Sequence, residues 1–134
     1  MPTGTAAFDI LISGEARVPT GCMLIGVNAD TNDTTQVNFI WSVGFTDFTN
    51  TAVVGANSKQ GAVNPSDTHS FHDESATILQ LTTSGTGTVY RSATIAAKAG
   101  GITVTPGQSG DATFISVVLV FGTAAIFVAG EGVL

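Results

Sequence analysis

Hydrophobic and polar residues alternate most clearly in residues 36–47, which read QVNFIWSVGFTD. The apolar side chains fall on every second position, and they are Val37, Phe39, Trp41, Val43 and Phe45. Successive side chains of a β-strand point to opposite faces, so this alternation predicts a strand with one apolar face. Trp41, the single tryptophan of the chain, lies at the centre of that face, and we expect its large ring to be buried in the core.

Similar apolar runs recur along the chain, and turn-forming residues separate them. The predicted strands cover residues 5–12, 22–27, 36–47, 51–56, 68–73, 75–83, 88–95, 102–105, 112–121 and 124–129. The polar segments between them include residues 13–15, 28–33, 57–67 and 84–87, which are rich in Gly, Asn, Asp and Ser. Nine or ten short strands without helical periodicity predict an all-β fold, an antiparallel β-sandwich with a jelly-roll-like order of strands.

The length of 134 residues fits one domain that covers residues 1–134. We find no internal repeat and no linker, and we expect a short N-terminal arm at residues 1–5 and apolar strands at residues 112–134. The first residues lack a basic region followed by an apolar stretch, so no signal peptide is predicted.

The C-terminal region allows two interpretations. Between Asp111 and Glu131 lie 19 residues without a charge, which is long enough for a membrane-spanning helix. However, the run is rich in β-branched residues, contains Gly122 near its middle and has no basic flank. These features favour two buried strands that fold back on each other at Gly122.

The composition narrows the class of partner. Four Lys and Arg against ten Asp and Glu give a net charge of −6, which opposes binding to nucleic acid or to an anionic membrane. Only 10 % of the residues are charged, against about 25 % in ordinary globular domains. Twenty Thr and 16 Gly contribute to an uncharged polar surface, which suits packing in a crowded assembly but also occurs on lectin-like domains.

Two segments contain groups that bind metal ions in other proteins. Residues 67–74 hold His69, His72 and three carboxylates, and histidine with carboxylate suits zinc. On a strand, however, two residues that are three apart face opposite sides, so we predict no metal and no cofactor there. Residues 28–33 are rich in oxygen atoms, but they lack the Gly and the distant Glu of a calcium-binding EF-hand loop, so an ordinary turn is predicted.

No set of catalytic residues emerges from the sequence. Cys22 lies in an apolar run and is predicted to be a buried core thiol. Ser109 stands between glycines, but its surroundings do not form the G-x-S-x-G turn of a hydrolase nucleophile. The Gly-rich stretches carry no phosphate-loop ending, and the carboxylates are scattered singly. The sequence therefore predicts a protein that is not an enzyme.

The order of several features from residue 18 onward resembles a known group of proteins. These features are the strand at residues 22–27 after Pro-Thr-Gly, the motif VGFTD at residues 43–47, the loop SKQG at residues 58–61, and the strands at residues 101–104 and 117–122. Together they resemble small all-β structural proteins of tailed-phage virions, either capsid decoration modules or parts of tails and fibres. Phe48 stands where that pattern has glycine.

The resemblance implies a non-enzymatic decoration or cement protein on the capsid surface of the virion, which stabilises the outside of a phage head. The implied partners are the major capsid protein and copies of the chain itself, arranged as a homotrimer. The alternative is a carbohydrate- or receptor-binding module of a phage tail or fibre. That module would use Phe48, Tyr90 and the loop at residues 57–67.

Overall fold

The computed structural model describes residues 5–28, 39–58, 68–75, 77–82, 88–107, 113–122 and 124–133, the last range as backbone. Within these residues the chain forms ten β-strands and no helix. The strands are β1 (Phe8–Leu11), β2 (Gly21–Asn28), β3 (Phe39–Thr46), β4 (Thr51–Ser58), β5 (Thr68–Asp73), β6 (Leu79–Thr82), β7 (Val89–Lys98), β8 (Gly101–Pro106), β9 (Thr113–Phe121) and β10 (Ala124–Val133). The prediction of an all-β fold with nine or ten short strands is confirmed.

The strands form two antiparallel sheets that pack face to face as a β-sandwich. One sheet has the order β1-β8-β7-β6, and the other has the order β10-β9-β2-β3-β4-β5. Most neighbours within a sheet are also neighbours along the chain, and the chain changes sheet after β1, β5 and β8. The sandwich agrees with the predicted fold class. The jelly-roll order is not confirmed, because a jelly roll combines two Greek keys whereas these sheets are built mainly from meanders.

The hydrophobic core lies between the two sheets. Its buried apolar residues come from both of them, and they are Cys22, Leu24, Ile40, Ile78, Leu79, Leu81, Ala93, Ile102, Val104, Ile115, Val117, Leu119 and Phe121. The strand register aligns Leu24 with Gly44 on one side and with Val117 on the other, so the large side chains of β2 and β9 fill the centre.

The predicted apolar face of β3 does not belong to this core. Ile40, Ser42 and Gly44 point inward and are buried, whereas Trp41 is only half-buried on the opposite side and Phe45 is 51 % exposed. The expectation that Trp41 occupies the centre of the core is therefore wrong. The strand was predicted correctly, but the face that it turns toward the second sheet was not.

Close approach of the two sheets explains why the inward face of β3 carries small residues. A Cβ atom at Gly44 would lie 1.8 Å from the carbonyl oxygen of Ile78, just before β6. On β2, a Cβ atom at Gly26 would lie 2.1 Å from Cδ1 of Leu79. The space between β3 and β6 cannot hold an aromatic ring, so the alternation of β3 places its rings on the outside.

The C-terminal region forms a hairpin of β9 and β10, which confirms two strands over a helical membrane span. The chain turns at Gly122, whose φ of 64° lies in the left-handed region that glycine adopts without strain. Several strands extend beyond their predicted ends: β4 includes residues 57 and 58, β7 reaches Lys98 and β10 reaches Val133. Residues 1–4 of the predicted arm (residues 1–5) and most of the predicted loops at residues 28–33, 57–67 and 84–87 lie outside the described residues.

Candidate functional site

The most unusual surface of the molecule is the side of the six-stranded sheet that faces away from the second sheet. We call it the outer face and define it by the outward side chains of β2, β3, β4 and β9. Its members among the described side chains are Met23, Ile25, Val27, Trp41, Val43, Phe45, Ala52, Val54, Ala56, Ser58, Ser116, Val118 and Val120. Eleven of these thirteen are apolar, so the described part of the sheet is mainly apolar on both sides.

The strand register arranges these side chains in continuous rows across the sheet. One row runs from Ser116 through Ile25, Val43 and Val54 to His72 on β5. Side chains that are directly opposite on antiparallel strands have Cβ atoms about 4.5–5.5 Å apart, so each row is a chain of contacts.

The two flanking rows have the same character. The first joins Val118, Met23, Phe45 and Ala52, and the second joins Val27, Trp41, Ala56 and Ser70. Because the rows lie side by side, the apolar surface is a continuous patch and not a set of isolated residues.

The outer face is exposed in the single chain, and it carries no charge. Phe45 is 51 % exposed, and Val27 and Val54 are each 38 % exposed. The four strands that form the face contain no Asp, Glu, Lys or Arg. Soluble monomers rarely expose large contiguous apolar patches, and natural sheets commonly place charged residues where association must be prevented. The outer face lacks that protection, which is typical of a surface that contacts a partner.

A second feature is an open depression at the end of the sandwich where β3 turns into β4. It has a volume of about 1010 Å³ and overlaps one end of the outer face, with which it shares Met23, Phe45, Ala52, Val118 and Val120. Phe48 and Ile95 add apolar walls, and Glu74 and Thr94 add polar groups at its rim. The depression is open to solvent, so it can hold part of a larger ligand or partner but does not enclose a small one.

The turn beside this depression is held by its own side chains. Asp47 Oδ1 accepts hydrogen bonds from the backbone N–H groups of Asn50, at 2.6 Å, and Thr49, at 2.8 Å. These bonds hold the pKa of Asp47 below its usual value, with the bond from Asn50 as the largest cause. The hydroxyl of Thr46 accepts from the backbone N–H of Phe48 and donates to the carbonyl of Asn50. Asp47 therefore stabilises the turn and is poorly placed to act as a base.

Phe48 adopts a conformation that is uncommon for a residue with a side chain. Its φ of 66° lies in the left-handed region. Glycine adopts this conformation without strain, so Phe48 stands at a position that suits glycine. The ring of Phe48 packs against the core and is half-buried, so it is less available for ligand stacking than the sequence suggested. The side chain of Tyr90 and residues 59–67, the other carbohydrate-binding candidates, lie outside the described part of the structure.

The two histidines of β5 point to opposite sides of the sheet, as their spacing predicted. His69 faces inward opposite Asn57, whereas His72 is exposed on the outer side, 3.6 Å from Glu74 between Nε2 and Oε1. Within the described part of the chain, no three His, Cys, Asp or Glu side chains are grouped as a metal site requires. Asp67 and the oxygen-rich residues 29–33 lie outside that part.

Polar groups inside the sandwich link the two sheets near β5 and β6. Asn57 is fully buried and donates a hydrogen bond of 2.5 Å from Nδ2 to Oγ1 of Thr82. Arg91 on β7 is 1 % exposed and lies opposite Leu81 of β6 in the strand register. A hydrogen bond that joins two strands of different sheets fixes their relative position, so we assign these groups a structural role.

Of the two side chains considered for catalysis, only Cys22 lies in the part of the chain that the structure describes. Cys22 is buried, and burial raises the pKa of its thiol to about 12, which leaves it uncharged and unreactive. Ser109 lies outside the described residues. The sequence pattern did not predict the outer face as a site, because its apolar residues were assigned to the core. The signal that could have found it was the apolar character of both faces of the strand at residues 22–27.

Searches for similar proteins add no assignment. Comparisons with protein-family models, with curated proteins and with solved structures find no match to this chain. Among the described residues no helix is long and apolar enough to cross a membrane.

Proposed function

We propose that this protein is a non-enzymatic structural protein of a virion, a decoration or cement protein that binds the outside of a phage head and stabilises it. The outer face is the observation that carries an assembly role, because a charge-free apolar sheet face suits contact between proteins. The assignment to a phage head comes from the resemblance of residues 18–122 to virion proteins of this type.

The proposed mechanism is burial of surface area. Each Å² of apolar surface that is removed from water contributes about 25 cal/mol, so a contact needs no reactive group to be strong. Half-exposed Phe45 is the largest single contributor that the outer face offers. Copies that join in this way form a unit that can bridge neighbouring capsid proteins and stabilise the shell.

The proposed assembly is a homotrimer at three-fold or quasi-three-fold positions of the head. Most soluble homo-oligomers have closed rotational symmetry, and a trimer matches the local symmetry of such positions. The partners are then the major capsid protein and two further copies of this chain, and the protein is located on the capsid surface.

Binding to empty heads tests the proposal directly. Heads of the virus that encodes this chain, assembled without it, are mixed with increasing amounts of the purified protein and sedimented. We expect saturable binding with a fixed ratio to the major capsid protein and a higher temperature of head disruption. Absence of binding to heads at any concentration would contradict the proposed function.

The alternative function is a carbohydrate- or receptor-binding module of a tail or fibre. The depression that overlaps the outer face favours it, because exposed Phe45 provides an aromatic surface and Glu74 and Thr94 provide polar groups nearby. A glycan array separates the two proposals: specific glycan binding together with no binding to heads would support the module. The decoration protein is expected to bind heads and no glycan.

A further inference from the structure

We propose that the outer face is covered by other copies of this chain, whose outer faces pack together around a three-fold axis. This inference rests on the proposed function, and it names the partner that the outer face contacts in the proposed assembly. The surface that binds the head is then a different part of the molecule.

Charge favours a second copy of the chain as the occupant. The protein carries a net charge of −6, so copies repel one another wherever their acidic groups meet. The four strands of the outer face contribute no charged residue to such an encounter. Two outer faces therefore approach with little local repulsion, and neither must desolvate a charge. A strongly charged partner would gain nothing from this surface.

The size of the outer face reaches that of a stable contact only together with the adjoining strand β5. With a strand spacing of about 4.8 Å and a rise of about 3.4 Å per residue, β9, β2, β3 and β4 cover about 19 Å by about 27 Å, or about 520 Å² per copy, and β5 raises this to about 650 Å². Stable interfaces bury about 600–1,000 Å² on each partner. The whole outer face and its border on β5 must therefore be in contact.

The anatomy of the face also matches an interface between proteins. Val43 and Val54 lie in the middle row of the outer face, and the exposed Phe45 and half-buried Trp41 lie on β3 in the two rows that flank it. The outer face is bordered on β5 by the outward side chains of Ser70 and His72, which are polar. A hydrophobic centre with aromatic residues and a polar rim is the usual arrangement of such surfaces.

The width of the outer face is compatible with the packing of three copies around one axis. Four strands span about 19 Å, and three flat faces of that width around an axis place each sheet about 5.5 Å from it. Packed sheets are about 10 Å apart, so side chains fill about 5 Å on each side. The side chains of three outer faces would therefore fill the interior without a large void.

The inference is tested by comparing the solution mass of the purified wild type with that of a variant that carries a charge in the outer face. We expect light scattering to give three times the chain mass of 13.6 kDa for the wild type. Phe45→Asp should raise the dissociation constant at least about a hundredfold, because it removes an aromatic anchor, typically among the most costly changes in an interface, and puts a charge in its place. Thr105→Asp is the matched control, because Thr105 is exposed on the opposite sheet and its variant should keep the wild-type mass. Equal effects of the two charges would overturn the proposal.

A second measurement does not depend on a disruptive variant. Val43→Cys places a thiol in the middle of the outer face, whereas the natural Cys22 is buried. Mild oxidation should give a covalent dimer with Val43→Cys and none with Thr105→Cys. The emission of the single Trp41 should also shift to longer wavelength on dilution, as the copies separate and water reaches its ring.

The outcomes separate this inference from the proposed function. A chain that is monomeric at all concentrations but binds heads would overturn the inference and support the function. A chain with three times its mass in solution, whose Val43→Cys variant forms the disulfide-linked pair but which binds no head, would support the inference and contradict the function. A chain with only twice its mass in solution, linked at the same position, would support contact through the outer face and overturn the three-fold arrangement.

Discussion

The close approach of the two sheets at Gly44 gives the sharpest prediction for stability. Gly44 lies on the inward face of β3, and a Cβ atom there would be 1.8 Å from the carbonyl oxygen and 2.8 Å from Cγ1 of Ile78. Contacts below 3.0 Å essentially never occur for real Cβ atoms, so the carbonyl must move by more than 1 Å in Gly44→Ala. Ile78 cannot move freely, because it is fully buried and its N–H donates to the carbonyl of Ala93 on β7.

The sign of the effect distinguishes this clash from ordinary strand propensity. Alanine in a strand is normally more stable than glycine by about 0.5–1 kcal/mol. Overpacking of a core costs about 1–3 kcal/mol, and a clash with backbone belongs at the upper end of that range. We therefore expect Gly44→Ala to lose about 2–3 kcal/mol of the free energy of unfolding. For a domain of this size the midpoint of thermal unfolding should fall by about 10 °C.

Thermal and urea unfolding followed by circular dichroism measure this loss. Gly21→Ala is the matched control on β2, because its Cβ atom would meet the carbonyl oxygen of Thr46 at 3.3 Å and needs only a small adjustment. The control should stay within about 1 kcal/mol of the wild type. A Gly44→Ala variant that is as stable as the wild type would refute the close packing of β3 against the second sheet.

Three further predictions concern the β3–β4 turn and the core. Phe48→Gly should be more stable than Phe48→Ala by about 1 kcal/mol in urea unfolding, because only glycine adopts the positive φ without strain. The reverse order of stability would contradict the left-handed conformation. Asp47→Ala should lower the melting temperature at pH 7. Folding lowers the pKa of Asp47 below its usual value of 3.8, so this difference in melting temperature should be present above about pH 4 and shrink as the pH falls below it. A difference that stays constant down to pH 2 would contradict the role of the carboxylate. Cys22 is buried, which raises the pKa of its thiol to about 12, so it should resist a thiol reagent in the native protein at pH 8 and react fully in urea. Rapid reaction of Cys22 with the reagent in the native protein would show that the thiol is not buried.

Local patterns were sufficient to predict the strands. The alternation in β3, the apolar runs of β2 and β9 and the glycine at position 122 are properties of short segments, and each predicted its element to within a few residues. The same holds for His69 and His72, since side chains three apart on one strand must point to opposite faces. The departure at Phe48 was also visible, because glycine is the residue that suits a positive φ.

The sequence by itself thus determined that the chain is an all-β protein with one strongly apolar face on β3. Only the tertiary structure decided which side of that strand is the core. The reason is that burial depends on how closely the second sheet approaches β3. The distance between the sheets is set where Gly26 meets Leu79 and Gly44 meets Ile78, and the two residues of each contact are far apart in the chain. Since the small residues of β3 had to face β6, Trp41 and Phe45 were left on the outside, where they form the candidate assembly surface.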